Sequence, residues 1–255
     1  MMQGTNGSMR LSGNALTNFI ATISATGGLL FGYDTGIISS ALLQLRNEFH
    51  LDTLGAEVVT SAIILGALIG CLVAGGISDR LGRRRTVMIA AALFLVGTVI
   101  VASAHSVAVL ILARLILGLA IGGASQIVPI YIAEISPPER RGRLVVGFQL
   151  AVVSGVTISF ITGYLLRDSS WRLMFGIGML PALILFVGMA FLPNSPRWLA
   201  LNGQTEEARM VLRRVRATDE IADRELDGIL ENHDVQAPWS ELAKPWVRPA
   251  LMASV

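Results

Sequence analysis

Gly75-Gly76-Ile77-Ser78-Asp79-Arg80-Leu81-Gly82-Arg83-Arg84-Arg85 lies between two apolar runs. It is a compact cationic turn with one acid, and its glycines stand where a backbone bends or approaches another. Lys and Arg beside a hydrocarbon-length span resist translocation. The four arginines therefore place this turn on the cytoplasmic side of a membrane and orient every other span.

The rest of the chain agrees. Its 255 residues are 53% hydrophobic and only 15% charged, with mean hydropathy +0.64, too little polar surface for a soluble globule of that size. The net charge of +2 does not point to nucleic acid, because the arginines flank apolar spans and form no basic face with interleaved aromatics. Cys71, the only cysteine, excludes an intrachain disulfide and reads as a small packing residue. Arg10 precedes an apolar stretch that continues through Asp34 to Leu45, too long for a cleaved secretory signal, so a retained first helix is expected.

Apolar runs of bilayer-crossing length occur near 19–45, 56–78, 86–104, 107–135, 144–166 and 171–192. The connections 46–55, 105–106 and 167–170 carry little positive charge, whereas 79–85 and 136–143 hold arginine clusters. The expected fold is an all-α polytopic membrane bundle with both termini cytoplasmic. Its parts are a tail at 1–17, six spans within 18–192, a cytoplasmic helical segment at 193–247 and the start of a further span at 248–255. Gly66 with Gly70, Gly118 with Gly122, and Gly155 with Ser159 and Gly163 have the spacing that lets helices approach closely, and Pro129 and Pro181 are expected to kink their spans. Ala208, Val211, Leu212 and Val215 predict an amphipathic helix with Thr205 as N-cap, and Ile221, Leu226, Ile229 and Leu230 a second one.

Asp34, deep in the first span, is costly as an ion in hydrocarbon unless paired or hydrated. At 1.5 Å per residue it lies about 16 Å from the outer end of its span, and Arg114 in span four about 12 Å from the same end. A contact is therefore geometrically possible. Beside the guanidinium the carboxylate stays charged; parted from it in apolar surroundings it takes up a proton, which makes a switch, the alternative being a permanent structural ion pair. Gln149 and Gln126 are amides within spans, and Ser125, Thr157 and Ser159 add hydroxyls. Amides donate and accept, which suits a polyhydroxylated ligand, while interhelical bonding is the alternative. Gln149 is read as a ligand contact and the others as packing. Phe31 and Tyr33 offer faces for a sugar ring or for plain packing.

Asp79, Arg80, Arg83 and Arg84, Glu134 and Arg141, and Arg197 place acid and base together at cytoplasmic helix ends. They read as an ion-pair latch for the inner mouth, or as topogenic arginines in solvent. No metal-ligand spacing and no Walker-type loop is present, and His50, His105 and His233 are scattered, so an enzyme is not expected.

Taken together, these segments resemble the sugar porter family of the major facilitator superfamily. The matching stretches are Gly75 to Arg84, Arg114 to Gly118, Pro129-Ile130-Tyr131-Ile132-Ala133-Glu134 with Arg141-Gly142, and Pro193 to Trp198, in family order over nearly the whole chain. The resemblance implies two six-helix halves, inverted three-helix repeats within each, and alternating access around a central site, with this chain as the first half. It implies proton coupling by Asp34 with Arg114, sugar contacts from Phe31 and Gln149, and a cytoplasmic gate built from Glu134, Arg83, Arg141 and Arg197. The expected partners are a sugar or polyol, a proton, the bilayer and the missing second half, with no cofactor and no metal.

Proton symport is the leading expectation. A passive facilitator and a non-transporting sugar sensor or regulatory half are its alternatives. Two departures stand out: Asn194 replaces the glutamate usual in the family, which removes one latch pair beside Arg197, and the chain stops at Val255 where a seventh span is expected, so it is read as a fragment.

Overall fold

The computed structural model describes residues 13–231. Most of the 1–17 tail, the end of the 193–247 segment and the expected seventh-span start at 248–255 lie outside them. The described chain folds as ten helices: α1 Gly13–Phe49, α2 Thr53–Leu81, α3 Arg83–Ala102, α4 Val107–Ile135, α5 Pro138–Leu165, α6 Trp171–Ile177, α7 Met179–Phe191, α8 Pro196–Leu201, α9 Thr205–Val215 and α10 Asp219–Glu231.

Five segments, α2, α3, α4, α5 and the combined α6–α7, are long and apolar enough to cross a membrane. The first expected span lies within the 37-residue α1, whose apolar character is diluted by small and polar residues from Ser24 to Gly36. Side chains such as Leu72 on α2 (76% exposed) and Phe191 on α7 (83% exposed) give the described helices an apolar exterior.

Two parallel helix pairs organise the bundle, and glycine makes both possible. Along α2 and α4, a Cβ built at Gly66 would stand 2.3 Å from the Leu115 carbonyl oxygen, and one at Gly122 would stand 2.1 Å from that of Ala67. Along α1 and α5, a Cβ at Gly32 would stand 1.9 Å from the Val152 carbonyl oxygen, and one at Gly155 would stand 2.2 Å from that of Leu29. Any side chain there forces the backbones apart, so the spacing seen in the sequence is the condition for these contacts. α3 closes over α4 and α7.

Caps mark where chain ends turn. Asp52 accepts from Gly55 N at 2.7 Å, Ser106 from Val109 N at 3.3 Å and Ser195 from Trp198 N at 3.2 Å, each the kind of bond that stabilises a helix start by about 1 kcal/mol. The expected loop at 79–85 is shorter than its polarity suggests: α2 runs on to Leu81 and α3 starts at Arg83. Only Gly82 intervenes, at φ 88° and ψ 156°, a conformation that glycine adopts without a Cβ clash. α4 continues unbroken through Pro129, while the sixth span breaks at Gly178, ahead of Pro181.

α8, α9 and α10 form a small core of their own from Trp198, Leu199, Ala208, Val211, Leu212, Ala222 and Leu226. Val215 is buried as its spacing predicts, but Gln204 takes the N-cap position in place of Thr205, and Ile221 and Leu230 of α10 face outward. Arg216 joins this core to the bundle, donating to the Ile135 carbonyl at the end of α4 at 2.7 Å and pairing with Glu225 of α10.

Candidate functional site

The α1–α5 seam decides where Asp34 points. Gly32 and Gly36 press against α5, so the side chain midway between them projects from the opposite side of α1, toward α4. There Arg114 Nη1 donates to Asp34 Oδ2 at 2.9 Å, with the two side chains 0% and 2% exposed. The contact allowed by the depths of the two spans is made. Arg114 also lies over the Phe175 ring, 5.7 Å from its centre, while its Nε and Nη2 have no hydrogen-bond partner among the described residues. Next door, Tyr33 donates to the Met174 carbonyl at 2.6 Å, which ties α1 to α6.

Phe31 is half-buried and packs on the core around Leu30 and Tyr33. Gln149 is exposed on α5. A Cβ at Gly28 would stand 2.6 Å from the Phe148 carbonyl oxygen, so Phe31 and Gln149 sit within about one helical turn of each other in depth. Ser125, Thr157 and Ser159 bond carbonyls one turn back on their own helices, Gly122, Val153 and Val156. Gln126, read from sequence as packing, is instead exposed.

At the arginine-rich end of the bundle, Arg83 Nε stands 3.1 Å from Glu134 Oε2 and its Nη1 3.1 Å from Asp79 Oδ1. Arg80, Arg141 and Arg197 are exposed and make no ion pair among the described residues. Arg84 turns away from these acids: its guanidinium caps α7 through the Met189 carbonyl at 3.0 Å and through that of Ala190. Trp198 donates to the Asp79 carbonyl at 2.9 Å, and Tyr131 to that of Pro193 at 2.7 Å, so α8 is held beneath α2 and α4. The side-chain oxygen of Asn194 is buried there without a partner among the described residues.

One polar cluster escaped sequence reading. At the opposite end, Glu48 accepts from Trp171 Nε1 at 2.6 Å and from both terminal nitrogens of Arg172, at 3.2 and 2.8 Å; Arg172 also donates to the Ala104 carbonyl at 2.9 Å. The Arg172 guanidinium and the Trp171 N–H, with His105 nearby, hold the Glu48 carboxyl below its ordinary range. Gln44 completes the clamp, donating to the Arg167 and Ser169 carbonyls and accepting from Trp171 N. An acid just after one span and Trp-Arg at the start of another were the available signals.

Known proteins align with this arrangement. The sequence profile of the family described as "Sugar (and other) transporter" matches residues 20–255. A D-xylose transporter of Levilactobacillus brevis is 40% identical over 94% of this chain and 53% of its own length. A galactose-proton symporter of Escherichia coli K12 is 39% identical over 90% of the chain and 50% of its own. The proton:xylose symporter XylE, solved with 6-bromo-6-deoxy-D-glucose bound, superposes with a TM-score of 0.78 at 30% identity, covering 95% of this chain and 57% of that one. The chain spans about half the length of the relatives it matches.

Proposed function

The chain belongs to the sugar (and other) transporter family of multi-pass membrane proteins, and on that premise we propose that it forms the first half of a proton-coupled transporter of a monosaccharide or polyol. The observation that carries this reading is the Asp34–Arg114 pair: a carboxylate and a guanidinium enclosed at membrane depth, in a bundle whose relatives include a galactose-proton symporter.

Charge balance supplies the coupling. While Asp34 is ionised, Arg114 balances it and α1 and α4 are held together; a proton on Asp34 removes the attraction and frees the guanidinium, two of whose nitrogens, Nε and Nη2, have no partner among the described residues. The sugar binds against Phe31 and Gln149, whose amide donates and accepts toward hydroxyls. Substrate and proton together shift the balance between outward- and inward-facing states by their differential affinity for the two. A passive facilitator needs no ionisable group at position 34.

The arginine-rich end is cytoplasmic in this reading, as are both ends of the chain, with α8–α10 on that face. Arg83 with Asp79 and Glu134 forms the standing part of the gate. Arg80, Arg141 and Arg197 face solvent, free to meet acids of the second half when the inner mouth closes. Asn194 offers an uncharged oxygen where the family usually brings a carboxylate, which weakens that closure.

The test is uptake by proteoliposomes containing the complete transporter, with and without an inward proton gradient, across D-xylose, D-galactose, D-glucose and myo-inositol. Gradient-driven accumulation of at least one of them is the expected result. Equal equilibration with and without the gradient assigns passive facilitation, and no uptake of any sugar overturns the transport reading.

A further inference from the structure

α4 is more enclosed than any other of the five apolar segments. In its last dozen residues only Gln126 and Ile130 are exposed. The Gln126 carboxamide has no hydrogen-bond partner among the described residues. An amide in that state is costly against hydrocarbon, so its face of α4 adjoins water, a ligand or another polar surface.

Its depth follows from helix contacts. Val128, two residues further along α4, meets Gly27 of α1, whose added Cβ would stand 3.1 Å from Val128 Cγ2. Gly28 meets Phe148 of α5, the neighbour of Gln149. α4 runs antiparallel to α1 and α5, so stepping back two residues on α4 and forward one on α5 brings Gln126 and Gln149 to the same level, within about one helical turn. Phe31 is within about the same distance.

Room stands beside Gln126. Among the described residues, a Cβ at Gly75 of α2 would meet only Gln126 Nε2, 3.8 Å away. Gly75 differs from Gly66 and Gly70, where a Cβ would strike the backbone of α4. Close packing does not account for Gly75, and its effect is to keep a side chain out of the space before an unpartnered amide.

We propose that Gln126 is a second amide contact for the substrate, set level with Gln149 on a different helix, and that Gly75 leaves the space through which a hydroxyl of a monosaccharide or polyol reaches it. This rests on the transport reading above. Each carboxamide donates through nitrogen and accepts through oxygen, so two of them at one level grip a polyol from two sides and read which carbons bear hydroxyls.

The experiment uses the complete transporter in proteoliposomes. Gln126→Leu keeps the volume and removes both hydrogen-bonding groups. It is expected to raise KM for a transported sugar about tenfold, the equivalent of one hydrogen bond to a buried site. A deoxy analogue lacking the contacted hydroxyl should lose little further affinity in the variant. In parallel, Gln126→Cys in a Cys71→Ala background should react with a membrane-impermeant thiol reagent and be protected by the transported sugar. Unchanged KM, or the same loss for the parent sugar and every deoxy analogue, overturns the proposal and assigns Gln126 to the contact between halves; so does labelling that sugar fails to slow. Failure of the unsubstituted protein to take up any sugar is a separate result, which removes the transport reading and this inference with it.

Discussion

Arg114 Nη1 donates to Asp34 Oδ2 at 2.9 Å across the α1–α4 contact, and neither side chain is more than 2% exposed. Coupling through this pair needs only that one member gain and lose a proton as the bundle changes state. Asp34→Asn removes the titration and keeps the shape. In the complete transporter it is expected to abolish uphill accumulation while sugar-for-sugar exchange continues. Paired measurements of gradient-driven uptake and counterflow check this, and undiminished accumulation removes Asp34 from the mechanism.

The same pair makes a stability prediction. Arg114→Leu leaves a carboxylate enclosed without its counter-charge, a loss of about 3–5 kcal/mol by comparison with other buried pairs. Adding Asp34→Asn to Arg114→Leu should recover much of it, because no uncompensated charge then remains. Unfolding of the single and double variants in detergent measures the difference; a double variant no more stable than the single shows that packing around Arg114, including its place over Phe175, dominates the loss.

What sequence conveyed here, and what it did not, divides by range. Span positions, the glycine seams and the meeting of Asp34 with Arg114 follow from hydropathy, spacing and rise per residue, which are local quantities read along single helices. The one-residue turn at Gly82 was hidden because arginine is both a loop-like charge and a good helix former, so polarity alone overstated the loop. The Glu48–Trp171–Arg172 clamp joins residues more than a hundred positions apart at span ends, where charges read as ordinary solvated flanks. Gln126 reads as packing because a polar residue in a span usually bonds a neighbouring helix, whereas in the structure its side chain is exposed and makes no hydrogen bond among the described residues.

The glycine seams predict unequal tolerance along the bundle. Gly66→Val places a side chain where an added Cβ already stands 2.3 Å from the Leu115 carbonyl oxygen, and α2 must separate from α4 to hold it. Gly142→Val on α5 meets nothing within 4 Å of its Cβ among the described residues. Purified yield and thermal unfolding should fall sharply for Gly66→Val and by no more than about 1 kcal/mol for Gly142→Val. Similar behaviour of the two variants rules out the close α2–α4 approach.

At the opposite end, the depressed titration of Glu48 has a defined direction with pH. A carboxyl whose folded value lies below its unfolded one contributes stability above the ordinary carboxylate range and loses that contribution as pH falls through the folded value. Glu48 is partly exposed, 41% at its side chain, so solvent screening holds the contribution below about 1 kcal/mol. Wild type should therefore unfold at slightly higher temperature than Glu48→Gln at neutral pH, and the gap should close as pH drops through about 4 and below. Unfolding scans of both proteins over that range, at low and high salt, check the sign. A gap that widens on acidification means that Arg172 and Trp171 favour the neutral carboxyl, contrary to the two donors they direct at it.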